Sequence, residues 1–277
     1  MSAVGKAIWF IETHFAGDIS LDDVASSVGV SRYYLARAFG VATGRSVIGY
    51  VRGRRLTEAA RSLANGAADI LTVALEAGYG SHEAFTRAFR DQFHLTPETV
   101  RAQRRTCNLD LVEPIKLDET VIQDLGPVRL ENGKPLLIAG LNERYTWESS
   151  KAIPAHWQRL VPYLGTIPRR VGRTTFGVSY NGDDEGNFDY IAGTEVTDFS
   201  ALPTAFSRLR LTAQTYAVFA HREHISEIRR TVFTIWTNWL PESGHEAADA
   251  PGFERFDDAF DYQTGQGGFE IWIPIKA

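Results

Sequence analysis

The apolar positions of this chain change period once, and that change divides it. Up to about Arg105 the helical period dominates, beginning with Val4, Ile8, Ile11 and Phe15 at spacings of four, three and four. Residues so spaced share one side of a 3.6-residue helix, so the stripe predicts the buried face of a first helix. Further helix starts are expected at Ser20, with Asp22 and Asp23 behind it, at Ser31, at Ser81, and at Thr96 before Pro97. A short hydroxyl side chain can accept from the free N–H groups of a first turn, and proline suits the first helical position. After Thr106 short β-prone runs take over: Leu136 to Gly140, Thr174 to Tyr180, Phe188 to Ala192, Thr215 to Ala220 and Phe269 to Ile275. Two helical stretches, about 152–164 and 225–240, stand among them, and turn-forming clusters such as Asn181-Gly182-Asp183-Asp184 separate them. The pattern predicts a multidomain chain: an all-α N-terminal domain over 1–107, a linker over 108–119, and an α+β C-terminal domain over 120–277.

Both parts repeat internally. Ser31 to Gly44 aligns on Ser81 to His94, pairing Leu35 with Phe85, Arg37 with Arg87, Ala38 with Ala88 and Phe39 with Phe89. Ala25 and Gly29 precede the first copy as Ala74 and Gly78 precede the second. Such a spacing predicts two helix-turn-helix units: alanine allows close helix approach, glycine supplies the positive φ that ends one helix, and serine caps the next. In the second part a strand (Leu136 to Tyr145), a helix and two strands recur as Thr215 to Ala220, Ile225 to Leu240, Phe253 to Phe256 and Phe269 to Ile275. Duplicated strand-helix-strand-strand units predict a pseudo-symmetric sheet with a cleft between its halves, a common place for a ligand.

On each second helix the faces separate. Leu35, Ala38 and Phe39, and likewise Phe85, Ala88, Phe89 and Phe93, recur at core spacing. The remaining faces carry Arg32, Tyr33, Ala36 and Arg37 in one copy, and His82, Glu83, Thr86, Arg87 and Arg90 in the other. Arginine can bond guanine O6 and N7 in bidentate fashion and glutamate can accept from cytosine N4, so Arg32, Tyr33, Arg37, His82, Glu83, Thr86, Arg87 and Arg90 are the candidate DNA readers. The alternative is a pair of solvated polar faces. Charge changes the picture slightly: residues 1–107 hold 13 Lys and Arg against 10 Asp and Glu, whereas 108–277 hold 16 against 24. A double-stranded DNA partner fits the first part.

Composition narrows the remainder. No apolar run approaches the length of a membrane helix, and the N-terminus lacks a basic-then-apolar secretory pattern, so a cytoplasmic, nucleoid-associated protein is expected. A lone cysteine, Cys107, and no Cys/His cluster of zinc spacing lead us to expect no metal and no cofactor. Five of the six tryptophans, Trp147, Trp157, Trp236, Trp239 and Trp272, lie in the second part. Most fit a core, Trp236 and Trp239 extending the stripe Ile225, Ile228, Val232. Glu254 is different: it stands in Phe253-Glu254-Arg255-Phe256, where period-two alternation puts it on the face of Phe256. An acid among aromatics could hold an amphipathic cation; it could also be an edge carboxylate paired with Arg255 or Arg222.

Residues 3–105 resemble the DNA-binding domain of the AraC/XylS regulators. The motif carrying the resemblance is Ala74, Gly78, Tyr79 and Phe85-Thr86-Arg87-Ala88-Phe89, followed by Thr96-Pro97-Glu98 and Arg101. The resemblance implies seven helices, with 52–63 in a connector that sets two reading helices in successive major grooves, and with Arg45, Arg52, Arg54 and Arg55 as candidate phosphate contacts. Residues 115–277 resemble the GyrI-like effector-binding domains through Phe188-Asp189-Tyr190 with Gly193, Tyr216 to Phe219 with His221, Trp239 to Gly244, Phe253 to Phe256 and Glu270 to Ile275. Arg222-Glu223-His224 stands where relatives often have glycine. This second resemblance implies a multidrug-type pocket, with Tyr145, Tyr190, Trp239, Glu254 and Phe256 as candidate ligand-binding residues. Together the two imply a regulator that binds double-stranded DNA and a small-molecule effector and works with RNA polymerase, and is not an enzyme. The alternative is a GyrI-like hydrolase using Glu254 as a general base.

Overall fold

In the computed structural model, which describes residues 1–67, 69–118 and 121–276, seven helices occupy the first part: α1 (Ala3–His14), α2 (Leu21–Val28), α3 (Arg32–Thr43), α4 (Val47–Ala64), α5 (Ile70–Glu76), α6 (His82–Phe93) and α7 (Pro97–Gln103). The caps explain their starts. Ser20 accepts from the Asp23 N–H while the Asp23 carboxylate accepts from the Ser20 N–H, and Ser81 and Thr96 accept from Ala84 and Thr99. The two turns that precede α3 and α6 also match. Val30 N–H bonds Ala25 O at 3.1 Å and Tyr79 N–H bonds Ala74 O at 2.9 Å, each with the glycine between them at positive φ, 73° at Gly29 and 83° at Gly78.

The chain forms two compact units, Met1–Arg32 with Ser46–Leu117, and Tyr33–Arg45 with Asp118–Ala277. Nearly all of α3 therefore belongs with the second unit. Within the first, Leu56, Leu63, Ile70, Val73, Phe85, Phe89, Phe93 and Val100 make one core, the apolar stripe of α6 facing inward as its spacing requires. This unit continues past residue 107 because α4 holds the following segment: Thr57 Oγ1 accepts from Val112 N–H at 2.9 Å, Arg54 donates to Val112 O at 3.0 Å, and Tyr50 Oη accepts from Ile115 N–H at 3.1 Å. The expected domain junction at residues 119 and 120 lies outside the described residues.

Two of the arginines expected at phosphates are committed to this packing. Arg54 is buried and ion-paired to Glu12 at 2.9 Å and Glu58 at 3.1 Å, and Arg55 donates to the carbonyls of Phe15 at 2.6 Å and Gly17 at 2.5 Å. The expected phosphate role of Arg54 is corrected, because a guanidinium buried among internal acceptors is structural; Arg55 is half-buried and Arg52 remains exposed.

The second unit carries one antiparallel sheet of β1 (Arg129–Gly133), β2 (Leu136–Thr146), β3 (Arg170–Tyr180), β4 (Asn187–Val196), β5 (Ser207–Leu211), β6 (Gln214–His221), β7 (Gly252–Phe256) and β8 (Phe269–Ile275). Its order, among the described residues, is β1-β6-β8-β7-β3-β4-β2-β5. Exchanging β1 to β4 with β5 to β8 reverses that order onto itself, so the sheet has the internal two-fold expected from the duplication, with β3 and β7 meeting at the seam. Helix α8 (Ile153–Leu160) follows β2; α9 (Ile228–Thr234), a π turn (Ile235–Trp239) and α10 (Leu240–Glu242) follow β6. Edge strands β1 and β5 escaped the sequence reading because they are short, charged and largely exposed.

The ion-pair arrangement makes a contrast measurable. Arg54→Ala removes the ion-pair partner of Glu12, leaving it only the Tyr50 hydroxyl at 2.6 Å, and should cost about 3 kcal/mol in urea unfolding, whereas Arg61→Ala, at a half-exposed pair with Glu58 and Glu113, should cost under about 1 kcal/mol.

Candidate functional site

The DNA-reading candidates on α6 lie along one face. Glu83, Arg87 and Arg90 are exposed, and His82 Nε2 stands 3.2 Å from Glu98 Oε1. Hydrogen bonding at the start of α6 holds Glu83 below the usual carboxylate range. Thr86 belongs to the same face, but its hydroxyl is buried without a partner. Arg32, in the first helix of the pair, is ion-paired to Asp22 at 2.5 Å. Tyr33 and Arg37 lie with the second unit instead: Tyr33 packs on Trp236 with ring centroids 6.4 Å apart, and the Arg37 guanidinium lies 5.2 Å from the Trp147 ring and 5.8 Å from the Trp236 ring.

At the sheet seam, register places Glu254 opposite Gly177 and Phe256 opposite Thr175, on the face that α8 covers. Here Trp157 Nε1 donates to Tyr190 Oη at 2.9 Å, and Tyr190 Oη donates to Glu254 Oε2 at 3.0 Å. The Trp157 ring meets Phe256 edge-on at 5.0 Å and stacks on Tyr262 at 5.6 Å. Gly177 makes the arrangement possible: a β-carbon there would fall 1.9 Å from Tyr190 Oη and 2.5 Å from Glu254 Oε2. Burial pushes the Glu254 carboxyl up to about 7, against the opposing effects of the Tyr190 hydroxyl, a backbone N–H and the charge of Arg37. Burial and the nearby Glu254 likewise push Tyr190 well above its ordinary value.

Tyr145 borders this group, its ring 6.4 Å from that of Tyr190. Its hydroxyl lies 3.0 Å from Glu143 Oε2 and 3.2 Å from His156 Nδ1, and His156 Nε2 lies 3.0 Å from Leu141 O. A carbonyl only accepts, so the imidazole carries a proton on Nε2, while the single Tyr145 proton is donated to Glu143 Oε2. Burial, then the Arg159 charge, pushes His156 down. Tyr145, Tyr190, Glu254 and Phe256 are thus brought together, with Trp157 joining them. Trp239 makes its ring contacts elsewhere, with Phe219 at 4.8 Å and His245 at 6.2 Å. Arg255 points to the opposite face and pairs with Glu270 at 3.3 Å, so it does not neutralise Glu254. That opposite face has its own cavity of about 530 Å³, lined by Tyr216, Phe253 and Trp272 among others.

The family model described as a GyrI-like small molecule binding domain matches residues 126–276. The chain belongs to the GyrI-like family. A helix-turn-helix domain model matches residues 24–103, and the pairing makes this GyrI-like chain an AraC-type transcriptional regulator. The chain is similar to the transcriptional regulator Rob of Salmonella typhimurium and to the right origin-binding protein of Escherichia coli K12, each 26% identical with 97% of this chain and 96% of the relative covered. The regulatory protein SoxS of Escherichia coli K12 is 37% identical over 34% of this chain and 88% of its own.

The raised Glu254 carboxyl in the GyrI-like domain has a thermodynamic consequence. A raised value means that the fold favours the protonated acid; the contribution is full below about 4.5 and is lost as pH rises through about 7. Unfolding of the wild type should therefore need less urea at pH 8 than at pH 5, and Glu254→Gln should reduce that difference; an unchanged difference would place the carboxyl in water.

Proposed function

We propose that this chain reads double-stranded DNA with α3 and α6 and is controlled by a cationic, amphipathic small molecule bound at Glu254. The observation that carries the reading is the placement of one half-buried carboxyl, held by the Tyr190 hydroxyl, among Trp157, Phe256 and Tyr145. A buried acid costs free energy when ionised, and a cation with an apolar body removes that cost while packing on aromatic faces. Tyr145, Tyr190, Glu254 and Phe256 would line the site.

On the DNA side, Arg32, Tyr33 and Arg37 of the first reader and His82, Glu83, Thr86, Arg87 and Arg90 of the second would meet base edges and phosphates. Two readers on one chain suit two short elements about one helical turn apart, roughly 34 Å. The functional division would follow residues 1–107, 108–119 and 120–277, and the protein would work in the cytoplasm at the nucleoid, alongside RNA polymerase and without metal or cofactor. We read Glu254 as an anchor and the chain as a regulator rather than a hydrolase, in keeping with regulator relatives matched over nearly their whole length. Among the described residues no helix is long and apolar enough to cross a membrane.

Arg87→Ala tests the DNA reading. It removes an exposed guanidinium from α6 without touching the core, so specific binding should weaken by about 1–3 kcal/mol and preference should relax in one half of the selected site. Binding by both proteins should fall as salt rises; wild-type sequence preference in the variant would remove α6 as a reader.

A further inference from the structure

The helix named above as the first DNA reader belongs, from Tyr33 on, to the same compact unit as the effector site. Its contacts there are specific. Tyr34 Oη donates to Trp236 O at 2.8 Å, a carbonyl within the π turn where Leu240 N–H bonds Ile235 O five residues back. Gly40 lies flat against Trp147, since a β-carbon at Gly40 would fall 2.0 Å from the indole Cε2. Between these two anchors, one helical turn from each, Arg37 puts its guanidinium beside both the Trp147 and Trp236 rings, at 5.2 and 5.8 Å.

Two tryptophans beside one guanidinium form an aromatic cage for a cation. The cage continues into the site at the seam: Trp147 packs on Phe188 at 5.4 Å, Phe188 on Tyr145 at 6.3 Å, and Tyr145 on Tyr190, which holds Glu254. The Arg37 charge acts on the Glu254 carboxyl. Yet Arg37 is imperfectly satisfied, because its Nε is buried without a hydrogen-bond partner.

We propose that Arg37 is the resident cation of the effector site, and that α3 and a cationic aromatic effector compete for the cage of Trp147 and Trp236, so that effector binding frees α3 for DNA. The inference rests on the reading of Glu254 as a cation anchor and adds Trp147 and Trp236 to the site. It also gives the DNA-reading arginine a second role: the group that bonds guanine when α3 is free is the group that fills the pocket when it is not. Affinity for either ligand is then reduced by the fraction of molecules in which α3 is seated.

The test uses the full chain, tetraphenylphosphonium as the cation, and a duplex selected from a random pool by the wild type. Titrations are run at pH 8, where Glu254 is ionised. Gly40→Ala keeps the Arg37 charge but wedges α3 away from Trp147, and alanine favours the helix. It should tighten tetraphenylphosphonium binding about three- to tenfold and raise DNA affinity without ligand. Arg37→Leu, which removes the occupant itself, should tighten the cation similarly. In the wild type, saturating cation should raise DNA affinity, and in Gly40→Ala it should add little. Unchanged or weaker cation binding in both variants overturns the competition while leaving the cation reading of Glu254 intact. Failure of the wild type and both variants to bind tetraphenylphosphonium overturns both together, and tightening by Arg37→Leu alone reduces the effect to simple charge removal and also overturns the competition.

Discussion

A carboxyl at the seam of a two-fold sheet sets the terms for everything around it. Strands β3 and β7 meet there, and only a residue without a side chain opposite Glu254 leaves space for the carboxyl and the Tyr190 hydroxyl together, which is why Gly177 occupies that position. Once the acid is desolvated, its neighbours must either keep a proton on it or bring a positive charge to it. Burial does the first; the hydrogen-bonded series from Trp157 through Tyr190 fixes where the acid sits and, by donating to Oε2, works against the proton. On the proposed reading a cation would do the second, arriving as a ligand or on α3.

The helical unit shows the opposite use of charge. Arg54 is also buried, but it is surrounded by Glu12, Glu58 and the Val112 carbonyl and so has no vacant demand. With Thr57 and Tyr50 it fastens α1, α4 and the segment beyond residue 107 into one body. A satisfied buried charge rigidifies a scaffold; an unsatisfied one creates a site.

Much of this was legible in the sequence, for reasons that can be named. Helix starts at Ser20, Ser81 and Thr96 follow from local hydrogen bonding that needs no tertiary information, and the six strands read from alternation all bury at least one face. The duplicated unit in the second half was visible because both copies keep the same order of elements. What escaped was non-local. Edge strands β1 and β5 carry Arg129, Glu131, Arg208 and Arg210, are only five residues long, and each pairs with the other repeat's strand. Trp236 read as core because an apolar helix stripe looks the same whether it faces a strand or an arginine. Period alone also could not distinguish Arg54, which is buried, from Arg52, which is exposed two residues earlier.

The central claim is that the charge of Glu254, more than the shape of its pocket, selects the ligand. Calorimetric titration of the full chain and of Glu254→Gln, each with tetraphenylphosphonium and with the neutral triphenylphosphine oxide, tests it most directly. The account predicts that the substitution weakens the cation by about 2–4 kcal/mol if the pocket is dry, or by under about 1 kcal/mol if water reaches it, and in either case more than it weakens the neutral compound. Equal losses for the two compounds, or no loss for the cation, would contradict it.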